Sequence, residues 1–147
     1  MKKTGILLLW LTSVACSSKS VKDNPILVEA NQIHLEAEAI QEQIEPAIER
    51  IDSLKSLLLA KKTPRADSLG NHFTKLKADF EDWKKNFFDV PGFEHTHDNT
   101  HHHHDHAVAP ELPADKMLEV QKEIKANIVR IKTELNMALE KEQKVLK

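Results

Sequence analysis

The sequence predicts an all-α protein: an antiparallel three-helix bundle with a long, kinked first helix and a disordered histidine-rich loop. Three observations carry this expectation. Apolar residues recur at spacings of three and four along three long segments, the mark of one buried stripe per helix. The 147 residues include three glycines, no tyrosine and few β-branched runs, which leaves little material for strands and their turns. Asn24-Pro25 and Thr63-Pro64 each set a capping side chain before a proline, the arrangement that opens a helix.

The first element precedes the bundle. Met1, Lys2 and Lys3 form a positive start, residues 5–11 an apolar run, and Thr12-Ser13-Val14-Ala15-Cys16 a stretch of small residues. The apolar run is far shorter than the ~20 residues that span a bilayer as a helix. These residues resemble a bacterial lipoprotein signal, which implies a cut after Ala15 and diacylglycerol on Cys16. Ser13 stands where leucine is usual, with Leu11 two residues back. The alternative is an ordinary cleaved signal with an incidental cysteine. With residues 1–15 as signal peptide, residues 16–24 become a lipidated tether to the outer membrane or the periplasmic face of the inner membrane. Acyl chains at ~0.8 kcal/mol per buried methylene give essentially permanent attachment. Cys16 is the sole cysteine, so no internal disulfide forms.

Residues 25–147 then make the bundle. Ile26, Ala30, Ile33, Ala37, Ile40, Ile44, Ile48, Ile51, Leu54 and Leu58 place one stripe on a first helix of about 25–62. Pro46 lies within it and removes one backbone bond, so a bend is expected at 42–46. Leu69, Phe73, Leu76, Phe80, Trp83 and Phe87 give a second helix, about 64–88, whose aromatic row reads as core. Asp89-Val90-Pro91-Gly92-Phe93 ends it in a turn. Met117, Val120, Ile124, Ile128, Ile131, Leu135 and Ala138 line a third helix, about 113–144. Each stripe needs the others for burial, which favours a bundle; self-association through the long first helix is the other way to cover it.

The connection at 94–112 is long for a bundle, and helix lengths return it to the membrane-proximal end. It holds His95, His97, His101, His102, His103, His104 and His106, seven of the nine histidines, with Glu94, Asp98 and Asp105 nearby. Neutral imidazole and carboxylate suit zinc, nickel or copper. A histidine run offers many interchangeable ligand sets, so affinity would be moderate and selectivity poor. Two other readings stand beside metal binding. One is a solvated low-complexity linker. The other is a pH response, in which protonating all seven would move the mature charge from −4 to +3. His34 and His72 lie beside the apolar stripes as boundary residues.

Function classes can be removed as well. With a net charge of −2 the chain has no polybasic surface for nucleic acid. No glycine-rich phosphate cradle, nucleophile motif or inward carboxylate pair is present, so no enzyme is expected. Residues 24–55, 82–94, the histidine loop and Met117-Leu118-Glu119-Val120-Gln121-Lys122-Glu123-Ile124 together resemble a family of short bacterial lipoproteins often labelled viral A-type inclusion protein. That resemblance implies lipidation and helices and brings no site residues with it. The expectation is a non-enzymatic cell-envelope module that binds a protein or envelope component, with periplasmic metal binding as the rival.

Overall fold

The structure, a computed structural model, describes residues 21–93 and 107–147. A single 3-10 turn, Val21–Asp23, leads into α1 (Pro25–Glu49), α2 (Ile51–Leu59), α3 (Pro64–Lys85) and α4 (Ala114–Leu146). Both expected caps are made. Asn24 accepts from the amide of Ile26 at 3.0 Å, and Thr63 accepts from that of Ala66 at 3.2 Å.

The first two helices form one 35-residue rod bent by 36°. The helix is interrupted at Arg50, four residues beyond the proline. The register of the buried face gives a reason. Ile48, Ile51 and Leu54 are spaced three and three, where a regular seam alternates three and four. That local overwinding is taken up at Arg50, whose ψ of −7° is tighter than α-helical. The rod ends at Leu59 instead of 62, and Lys62, at φ +50°, turns the corner into α3.

Side-chain pairs fix the topology as up, down, up. Lys122 meets Glu29 at 3.1 Å, Lys125 meets Glu36, and Lys132 donates to Gln43 at 2.7 Å, so α4 runs parallel to α1. Lys84–Glu45 and Lys77–Asp52 bind the antiparallel α3 to α1 and α2. At the far end, Lys61 donates to the carbonyl of Leu146 at 3.0 Å. Pairs this exposed are screened by solvent, so they set register more than stability.

The stabilising mass is the shared core. Ile44, Ile48, Ile51 and Leu58 meet Phe73, Leu76 and Phe80 from α3 and Ile128, Ile131 and Leu135 from α4, all almost fully buried. Each contributes roughly 1.5–3 kcal/mol over an exposed side chain. The stripes of α3 and α4 are as expected except at one point, and α1 shares the exception. His34, Gln41 and Gln121 occupy core positions at 0, 2 and 0% exposure, while Ile33, Ile40 and Val120, each one residue earlier, are only partly buried. Ile26 is exposed as well.

The cause lies in the segment after α3. That helix stops at Lys85, not 88, and Asn86 leaves helical geometry at φ −105°. The chain then folds Phe87, Phe88 and Val90 into the bundle. Non-helical backbone at that depth needs hydrogen-bond partners, and long polar side chains from facing helices can supply them. Gln121 donates to the carbonyl of Phe88 at 3.0 Å. Gln121 here, and His34 through its contacts with Phe87 and Asp89, serve this plug. The expected signal peptide at 1–15, the expected tether at 16–24 as far as residue 20, and the expected disorder of the histidine-rich loop at 94–106 lie outside the described residues.

Candidate functional site

The turn that closes the Val21 end of the bundle gathers most of the buried polar chemistry. His34 is fully buried, which corrects its reading as a boundary residue; its α1 position faces the plug directly. The imidazole stacks on Phe87 with centroids 4.4 Å apart and 10° between planes, and Phe87 stacks in turn on Trp83 at 4.5 Å. His34 Nε2 lies 3.1 Å from Asp89 Oδ1. Trp83 donates its indole N–H to the carbonyl of Ile124 at 2.9 Å, tying α3 to α4. His72, by contrast, is half-buried on α3.

The same turn holds both flanks of the histidine-rich segment. The Phe93 amide donates to the Val90 carbonyl at 2.9 Å, and the Ala107 amide donates to the Phe87 carbonyl at 2.9 Å. Gly92 sits against Val21, five residues after Cys16. The two sequence features of greatest chemical interest therefore leave the described bundle at one end. Cys16 itself and His95, His97, His101, His102, His103, His104 and His106 lie outside the described residues. Among the described residues no three His, Cys, Asp or Glu side chains come together as a metal site. No described helix is long and apolar enough to cross a membrane.

Several carboxylates are held by cations. Asp79 is kept below the ordinary range chiefly by a hydrogen bond from Lys75; burial opposes this, and the charges of Lys75 and Arg130 add to the lowering. Lys125 does the same for Glu36, and Lys77 for Asp52. Lys84 is raised by its bond to Glu45. These groups stay charged at neutral pH and act as fasteners between helices.

Sequence reasoning missed the contact of His34 with Asp89. The two residues are 55 positions apart and share no motif, so only the packing of the plug brings them together. Comparison with family models, with curated proteins and with solved structures finds no match.

Proposed function

We propose that this chain is a lipid-tethered, non-enzymatic helical module of the bacterial cell envelope, attached through Cys16 and binding a protein or envelope component with its bundle. The observation that supports it most is the placement of Val21 against Gly92. A tether arriving from Cys16 meets the bundle at one end, so the rod, about 50 Å long from the 33 residues of α4, is free to stand away from the anchored surface. Radiolabelled palmitate fed to cells should enter the wild type and not Cys16→Ala. Label absent from the wild type refutes the anchor. Crosslinking in cells should then capture one defined component, whether or not residues 95–106 are deleted.

A second reading has its own support. Phe93 and Ala107, the described residues on either side of 94–106, are both held at one turn, and the seven histidines lie between them in sequence. In this reading the segment binds zinc, nickel or copper in the periplasm. Calorimetry on the full chain with and without residues 95–106 separates the two. Heat no greater than that of a peptide of the same composition rules the metal role out. Copper or nickel bound there should also quench Trp83.

A further inference from the structure

At the end of the bundle away from Val21, the start of α3 and the last turns of α4 leave a groove of about 380 Å³. Its apolar lining is Leu69 and Val145, and Arg65, Ser68, His72 and Lys141 complete it. Several of the cations that α3 and α4 place along helix boundaries are matched by carboxylates, as in Lys84 with Glu45, Lys77 with Asp52 and Arg130 with Asp79, while Lys132 meets the amide of Gln43. No carboxylate lines this groove, and among the described residues neither Arg65 nor Lys141 has an ion-pair partner. Glu142, next in sequence to Lys141, is buried at a core position instead.

We propose that this groove binds a small phosphate monoester with an apolar organic group. The donor set fits that chemistry. A guanidinium fork and an ammonium bind an anionic oxygen cluster, and a hydroxyl and an imidazole N–H add neutral donors. The groove lies on the opening turns of α3, where the helix dipole also favours negative charge. Leu69 and Val145 give the organic group a surface to cover, and a groove of this size takes a small molecule, not a polymer. The site does not depend on lipidation or on the histidine segment.

The test is titration of the full chain by NMR or calorimetry with phenyl phosphate, inorganic phosphate and benzyl alcohol. Phenyl phosphate should bind more tightly than inorganic phosphate, and benzyl alcohol should not bind. Arg65→Gln and Lys141→Gln should each weaken phenyl phosphate about tenfold, the scale of one charge-assisted contact. Lys132→Gln, the same charge change on a lysine that faces Gln43, should leave affinity unchanged. Arg65 and Lys141 are exposed and Lys132 is half-buried, and thermal melts serve as the check that each variant folds. The proposal is overturned if phenyl phosphate shows no binding up to about 10 mM. It is overturned equally if Lys132→Gln weakens binding as much as the groove variants, or if inorganic phosphate binds as well as the ester.

Discussion

Gly92 and Val21 are in such close approach that a Cβ at position 92 would lie 2.8 Å from Val21 Cγ1. Gly92 also has φ +84°, a conformation that costs other residues roughly 1–2 kcal/mol. Gly92→Ala should therefore destabilise the bundle by about 2 kcal/mol in urea melts followed by circular dichroism. Val21→Ala, at a half-exposed side chain, should cost little alone and relieve only the clash in the double variant. Full rescue would mean that backbone strain at 92 contributes nothing.

The stack of His34 on Phe87 and its contact with Asp89 divide into two energies. His34→Ala removes both and leaves a cavity, for an expected loss of about 2–4 kcal/mol. His34→Phe keeps an aromatic face against Phe87 and forfeits only the polar contact, so it should recover more than half of that loss. Equal damage from both variants would show that the Asp89 contact dominates.

The fold class, the caps and the seams of α3 and α4 were legible because capping and periodicity are local. The seam of α1 was not. Ala30, Ile33, Ala37, Ile40, Ile44 and Ala30, His34, Ala37, Gln41, Ile44 both alternate threes and fours, and the apolar set reads as core on composition alone. What selects the second set is the plug of Phe87, Phe88 and Val90, a tertiary feature with buried backbone to satisfy. Val120 and Gln121 reverse for the same reason. The groove of Arg65 and Lys141 was equally invisible, since it exists only where the start of one helix meets the end of another. The residues that carried the functional expectations, Cys16 and the seven loop histidines, lie where no structural relation is described.

Acid should loosen the fasteners in a defined direction. Asp79 is held below its ordinary value of 3.8 by Lys75 and Arg130. An acid depressed in the folded state adds stability that is complete above its unfolded pKa and lost as pH falls through the folded one. Asp79→Asn should then be less stable than wild type at neutral pH, by under ~1 kcal/mol for so accessible a group. The gap should close as pH drops below about 4. A gap that persists in acid would show that Asp79 acts by packing and not by charge.

Lys62 turns the α2–α3 corner at φ +50°, a left-handed conformation unfavourable for a side chain with a Cβ. Its ammonium pairs with no carboxylate among the described residues. Lys62→Gly should stabilise the protein by about 0.5–1 kcal/mol, the left-handed penalty less the extra entropy of glycine in the unfolded chain. Thermal melts check this. Lower stability would mean that the lysine side chain holds the corner.

Pro46 offers the sharpest question about the bent rod. It is exposed, so replacing it removes no packing, and Pro46→Ala restores an amide able to bond to the carbonyl of Glu42. In an unconstrained helix that exchange is worth about 3 kcal/mol. Here α3 and α4 pack against a rod bent by 36°, and the spacing of Ile48, Ile51 and Leu54 favours overwinding at Arg50 whatever stands at 46. The restored bond must form within that bend, so the expected gain in urea melts is about 1 kcal/mol. A gain near the full value would make the proline the main source of the bend. A net loss would mean that the core selects a bend which proline only accommodates, because an unbroken helix at 46 would draw Ile51 and Leu54 away from the seam they now share with α3 and α4.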